Sequence, residues 1–380
     1  MRTFFLQGQQ VHEHTGWLEA LPDEGFVWVA MEQPAFEAQL RDVQAMLQRL
    51  CGTTLVDLHV SDLLNPSLPS TFESTERYDM LVLRRLAQAS SAEASRQNGR
   101  ASTAQGPVPR GGMPVLRRID TRPVGLVRFD RLLLSVHPPA CGILDTYAAR
   151  LLAAVSQPQQ ETHEPGRSAP VRVMPSSPAD LMLRLAGQMV DAYLDLRREF
   201  ARQLDHWQTE LLDPRSRFNN WRSLLDARLA LHELDEISED QRVALLDWIA
   251  ALADWPAPDT PAARRERELL HVRSRDVLEH IERVVHHVRR LEQSAETAVQ
   301  IHFSAQSHRA NDIMRTLTAL TAIFLPLNLI AGIFGMNFEF IPLLHVRSGF
   351  WLALFGMGLT AAALGLYFWR KRYLERQYSP

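Results

Sequence analysis

The 380-residue chain is 46% apolar and 22% charged, enough for a large water-exposed core, and its formal net charge of −3 leaves no general basic field for nucleic acid. Of its 41 basic residues only Lys371 is a lysine, a bias of GC-rich genome composition rather than of phosphate recognition. Cys51 and Cys141 stand far apart without C-x-x-C spacing, so neither a zinc knuckle nor a disulfide framework is indicated.

The N-terminal Met1-Arg-Thr-Phe-Phe-Leu-Gln has too short an apolar stretch for a secretory signal. Residues 1–176 then alternate β-rich runs with helical patterns and are expected to form an α/β domain. Phe26–Met31 has strand composition, and Pro34–Leu50 has helical apolar spacing opened by a proline. Further strands are expected over Tyr78–Leu86, Gly125–Phe129 and Leu132–Val136, the last two meeting at an Asp130-Arg131 turn. Residues 87–114 are rich in Ala, Ser, Gln, Gly and Pro with no apolar period, so a disordered insertion is expected there. A helix over Ile143–Val155 and a polar, Pro-containing stretch, Ser156–Pro175, close the domain.

From Ser177 the helical patterns lengthen, and residues 177–316 are assigned to long cytoplasmic helices. Pro178 opens a run through Leu212 interrupted only by Gly187. Phe218–Leu252 is a second run, with a break expected near Ile237-Ser238-Glu239, where a serine precedes acidic residues as a cap would. Trp255-Pro-Ala-Pro-Asp-Thr-Pro is a stop, and Thr260 with Pro261 forms a cap and first turn. Between Pro261 and Phe334 stand one proline, Pro326, and no glycine before Gly332. A single helix of that length would extend on the order of 110 Å at ~1.5 Å per residue.

Leu317–Met336 and Gly349–Trp369 carry no charge, and each is long enough to cross a bilayer core as a helix. The chain is therefore divided into a first span at 317–336, an outer loop at 337–348, a second span at 349–369 and a basic tail at 370–380. Arg309 and Arg315 precede the first span; Arg370, Lys371, Arg372 and Arg376 follow the second; the loop carries only Arg347. The positive-inside tendency puts both termini and the large domain in the cytoplasm.

Along the first span, Asn311, Met314, Leu317, Thr321, Leu325, Asn328 and Gly332 recur at steps of three and four and share one helix face. One reading is helix–helix packing, for which Thr, Gly and Asn are common glue. The other is a pore wall made by several copies, with Asn328 and Thr321 offering oxygens to a hydrated ion and Met314, Leu317 and Leu325 forming apolar rings that dewet. Two spans cannot enclose a pore alone, so the second reading requires an oligomer.

The stretch from Asn311 through Phe324-Leu325-Pro326-Leu327 to Gly335-Met336-Asn337-Phe338-Glu339 closely resembles the CorA family of divalent-cation transporters, including its Gly-Met-Asn signature. The resemblance is close over about Arg275–Leu374. It implies an α+β membrane protein, with an N-terminal α/β domain, long stalk helices forming a funnel and two C-terminal transmembrane helices. It further implies a homopentamer in the bacterial inner membrane, one pore lined by the first span, Mg²⁺ with Co²⁺ or Ni²⁺ beside it as substrate, Mg²⁺ as regulatory ion, and no organic cofactor.

Mg²⁺ gives up its waters reluctantly, so capture by neutral oxygens that hydrogen-bond to those waters suits it better than a carboxylate cage. Carried over from the signature, Asn337 side chains and Gly335 carbonyls beside Met336 would form such a ring; read alone, Asn337 is equally a helix C-cap. Glu339 would draw cations toward the mouth or, without the family, is a solvated loop carboxylate. Arg275-Asp276-Val277-Leu278-Glu279-His280 resembles the family segment whose aspartate binds a regulatory divalent ion, making Asp276 and Glu279 candidates. Otherwise Asp276 is an exposed charge paired with Arg273 or Arg283.

Several positions depart from the family pattern: Phe334 stands for its Tyr, Ile341-Pro342-Leu343-Leu344 for Met-Pro-Glu-Leu, Gln300 for an acidic ring and Asn328 for a threonine. His271, His280, His286, His287, His302 and His308 along the long helix suit Zn²⁺, Co²⁺ or Ni²⁺ better than Mg²⁺, and zinc transporters share this architecture. No Walker loop or nucleophile–base pair points to an enzyme or an ATP-driven pump. The remaining alternative is a non-conducting membrane-anchored oligomeric sensor or scaffold.

Overall fold

The structure, a computed structural model, describes residues 1–8, 10–14, 16–86, 120–139, 141–156, 174–212, 221–336 and 348–370. The expected insertion at 87–114, most of 156–175, Asn337 and Glu339, the loop through 347 and the tail from 371 lie outside the described residues. Two compact units are present, residues 1–295 and 296–380.

The first unit is built on one sheet with β1 (Arg2–Gln7), β2 (Gln10–His14), β3 (Phe26–Glu32), β4 (Thr71–Ser74), β5 (Asp79–Leu86), β6 (Thr121–Arg128) and β7 (Leu132–His137), in the order β2-β1-β3-β7-β6-β5-β4. Neighbours are antiparallel except β3 and β7, which run parallel with Val29 opposite Leu134. The β6–β7 hairpin closes where expected, the Phe129 amide donating to the Leu132 carbonyl at 2.8 Å. β1 and β2 carry no strand expectation from the sequence; β1 pairs on both sides, burying Phe4 and Leu6 at a spacing of two.

One face of the sheet is covered by α1 (Gln33–Ala38), α2 (Leu40–Cys51) and α3 (Asp57–Leu64), with Val29, Phe36, Met46, Leu63 and Val127 in that core. Gly125 lets α3 approach closely, since a Cβ there would collide with the Leu63 side chain. The run over Pro34–Leu50 is not one helix: Gln39, at φ −111° and ψ 21°, leaves the helical region and separates α1 from α2.

The other face carries α4 (Gly142–Ser156), α5 (Pro178–Leu212), α6 (Trp221–Asp254) and the first part of α7 (Pro261–Phe334). Trp28, Leu83, Leu126, Leu185, Met189, Trp248, Ile281 and Val285 share this core. Each such side chain contributes about 1.5–3 kcal/mol by leaving water. Thr260 caps α7 as its sequence indicates, Oγ1 accepting the Ala263 amide at 3.2 Å.

The break expected at Ile237-Ser238-Glu239 does not occur; α6 is continuous from Trp221 to Asp254. Ile237, Ser238 and Gln241 are buried on one side of the helix. Gln241 donates to the Arg84 carbonyl at 2.8 Å, and Tyr193 of α5 donates its hydroxyl to the same oxygen at 2.7 Å. Packing against the sheet therefore overrides the local capping tendency of Ser238. Burial pushes the Tyr193 phenol well above its usual range, which keeps it a neutral donor.

Candidate pore and regulatory sites

Two described helices are long and apolar enough to cross a membrane: the C-terminal part of α7 and α8, Gly349–Arg370. Pro326 stands inside α7 without ending it. Along the apolar part of α7, Ala319 is fully buried, while Ala322, Ile323, Pro326, Leu327 and Ile330 are partly covered and lie on its side. The seven stripe residues lie elsewhere on the circumference. Asn311, Met314, Leu317, Thr321, Leu325, Asn328 and Gly332 are all exposed, Leu325 at 66% and Met314 at 62%. The structure thus keeps the stripe together on a face that the described residues do not cover.

The polar members of the stripe differ. Thr321 donates its hydroxyl to the Leu317 carbonyl at 2.9 Å, as Thr318 does to Met314 at 2.7 Å. Such hydroxyls satisfy their donor inside the helix and keep lone pairs for an incoming proton. The amides of Asn311 and Asn328 have no hydrogen-bond partner among the described residues. An unsatisfied amide facing hydrocarbon would cost several kcal/mol, by the usual order of magnitude. Asn328 consequently requires either a neighbouring copy or water.

At the end of the stripe, the Gly335 amide bonds the carbonyls of both Ala331, at 2.9 Å, and Gly332, at 3.2 Å, and the Met336 amide bonds Ile333 at 3.3 Å. The last turn tightens to i→i+3 bonding, as helix ends do. A Cβ at Gly335 would lie 3.1 Å from the Ala331 oxygen, so the glycine permits this tight exit. Gly335 and Met336 are exposed there.

Asp276 and Glu279 lie in the first unit, one turn apart on the outer side of α7, with side chains 68% and 69% exposed. Neither pairing expected for Asp276 forms: Arg273 binds Asp180 at 2.7 Å, and Arg283 binds Glu279 at 2.7 Å. The group nearest Asp276 is His280, whose Nε2 lies 3.9 Å from Oδ1 and whose Nδ1 is 3.2 Å from Asp191 of α5. His280 is thus engaged by carboxylates. Among the described residues no group of three or more His, Cys, Asp or Glu side chains is arranged to hold a metal ion within one chain.

The backbone under Asp276 is firmly held. Asp180, buried at the start of α5, accepts from the Ser176 amide at 3.1 Å and the Arg184 Nε at 3.2 Å and faces Arg273. Burial pulls the Arg273 guanidinium below its ordinary value, against the opposing pull of Asp180. Ser274 accepts the Trp248 indole N–H at 2.9 Å in the core. No spacing rule flags Asp180; a single acid in the first turn of a helix is the only local signal.

A large α+β body joined to two apolar helices, the first ending in a tight glycine turn, defines a membrane protein of the two-span transporter class. The model of the CorA-like Mg²⁺ transporter family matches residues 121–372, and the chain belongs to that family. It is 35% identical over 100 residues to the cobalt/magnesium transport protein CorA of Thermotoga maritima, covering 26% of this chain and 28% of that one. It is 29% identical over 192 residues to the magnesium transport protein CorA of Mannheimia succiniciproducens, covering 50% and 55%. The matched stretch therefore spans from about a quarter to about half of these relatives' length. The complete CorA magnesium transporter from Methanocaldococcus jannaschii superposes with a TM-score of 0.68 at 16% identity over 97% of both chains. Full-length CmaX superposes with a TM-score of 0.63 at 18% identity over 98% of this chain and 97% of its own. These two establish the fold.

Proposed function

We propose that the chain assembles as a homopentameric channel that carries Mg²⁺ across the bacterial inner membrane, with both termini cytoplasmic and no ATP consumed. The observation that carries this reading is the uncovered stripe from Asn311 to Gly332, with Asn328 left without a hydrogen-bond partner among the described residues. Copies of that face around an axis give the Asn328 and Thr321 oxygens a hydrated cation to accept from. Met314, Leu317 and Leu325 then form narrow apolar rings that close by dewetting. The names of the Thermotoga and Mannheimia relatives support magnesium, and cobalt beside it, as cargo.

In this arrangement Gly335, Met336 and Asn337 form the outer capture ring, which holds Mg²⁺ through its water shell, and Glu339 raises local cation concentration. Asp276 and Glu279 bind the intracellular ion that holds the closed state; both are exposed, and Glu279 exchanges its Arg283 partner for the ion. Loss of the ion would leave like charges facing and favour opening.

Flux of Mg²⁺, Co²⁺ and Zn²⁺ into liposomes containing the purified full chain tests the reading. Mg²⁺ should enter, and Asn337→Ala should abolish entry while the oligomer persists in size-exclusion chromatography. Undiminished Mg²⁺ flux in that variant would overturn the capture ring. Zn²⁺ entry without Mg²⁺ entry would replace the cargo, and absence of all flux would leave a scaffold.

A further inference from the structure

A groove of 410 Å³ lies in the first unit, lined by Arg197 of α5 and by Glu279, Glu282, Arg283, His286, His287 and Arg290 of α7. On α7 the basic side chains recur at steps of three and four, so Arg283, the two imidazoles and Arg290 form a ridge about 10 Å long. Arg197 stands on the opposite wall.

The charges of this groove do not cancel. Glu279 is occupied by Arg283 at 2.7 Å, which leaves Glu282 as the carboxylate of the lining without an ion-pair partner among the described residues. Arg197 and Arg290 are left with no carboxylate partner among the described residues, and Arg197 Nε is buried without a hydrogen bond. His287 titrates below its ordinary value, through burial first and then through the fields of Arg197 and Arg290. Arg197 and Arg290 therefore line one cleft with unspent donors, and its three arginines outnumber its two carboxylates.

We infer that this groove binds a phosphorylated anion of the polyphosphate type, such as pyrophosphate or a nucleoside triphosphate. Guanidinium forks match phosphate oxygens in bidentate fashion. Cations on two walls and along two turns of helix suit linked phosphates better than a single one. His286 and His287 add ring N–H donors, and a bound anion offsets the fields of Arg197 and Arg290 that add to burial at His287. The site stands apart from the transport reading, because its occupancy is measured without flux.

The test is calorimetric titration of the full-length protein in detergent, in buffer stripped of divalent ions on a chelating resin, with pyrophosphate, ATP and inorganic phosphate. Saturable binding of pyrophosphate and ATP is expected, with inorganic phosphate weaker. Arg197→Gln with Arg290→Gln should weaken it by about tenfold or more. Arg290→Gln alone, at an exposed position that leaves folding intact, should weaken it by a smaller factor. Glu282→Gln, which removes a negative charge from the lining, should tighten it. Absence of saturable binding, or unchanged affinity in Arg290→Gln and the double variant, would overturn the site. Binding confined to phosphatidic acid vesicles, absent with pyrophosphate, would reassign the groove to a lipid headgroup and overturn the soluble ligand.

Discussion

The two stretches of α7 are built on opposite principles within one helix. From Pro261 to Ala295 it buries Leu270, Ser274, Val277, Ile281, Val284, Val285 and Val288 at steps of three and four, and ion pairs and an indole bond fix its face. From Glu296 to Phe334 most side chains are exposed, including Ile313, Met314, Phe324, Leu325 and Leu329. The first stretch is complete within the chain. The second is left uncovered by the described residues; in the proposed channel it meets lipid and further copies of the chain, where an exposed leucine is no longer a defect.

The comparison breaks most severely if the cores prove equal. Trp248→Ala should cost the first unit on the order of 3–5 kcal/mol, read as a lowered denaturation midpoint, whereas Leu329→Ala should change that midpoint by less than about 0.5 kcal/mol. Equal losses would show that the second stretch is covered within one chain. Asp180→Asn leaves Arg273 half-buried without its counter-charge and should cost about 3 kcal/mol, with protease cutting appearing between α5 and α7. An unchanged midpoint would remove the ion pair from the account of how the Asp276 segment is held.

A smaller effect sharpens the other side. Asn328→Leu should reduce Mg²⁺ flux by about tenfold, roughly 1.4 kcal/mol in the barrier, with the midpoint of the first unit unchanged. Asn328→Thr should retain most of the flux, because an oxygen acceptor remains. Loss in both would point to packing rather than to ion contact.

The smallest effect is a pH slope in the first unit. Burial lowers His137 in the folded chain, so the unfolded chain takes up the proton first. Stability is complete above about pH 6.5 and falls as pH drops from there toward the lower folded value. Replacement by Gln should flatten that slope between pH 7 and 5. A slope unchanged in His137→Gln would assign it to other groups.

Much of the helical architecture was legible because long runs of 3.6-residue spacing are interrupted only by strong stops, Trp255 to Pro261 among them. The stripe from Asn311 to Gly332 was legible for the same reason. What failed was local chemistry read without its surroundings. Ser238 has the residue type of a cap, but it is turned into the core; Gln39 has no signal of a break, yet the chain bends there. The alternative reading paired Asp276 with Arg273 or Arg283, its neighbours in sequence, whereas Arg273 goes to Asp180, some ninety residues earlier, and Arg283 to Glu279.

Sequence by itself determined the two apolar helices, the end of the first at Gly335 and the family, since a charge-free run of that length and a fixed tripeptide carry their meaning locally. Tertiary structure decided which polar groups stay without partners. Asn328 is left open while Thr321 turns its hydroxyl inward, and Arg197 and Arg290 face a cleft while Arg273 and Arg283 are paired. Satisfaction of a polar group depends on what the fold brings within about 3 Å of it, and linear order does not contain that distance.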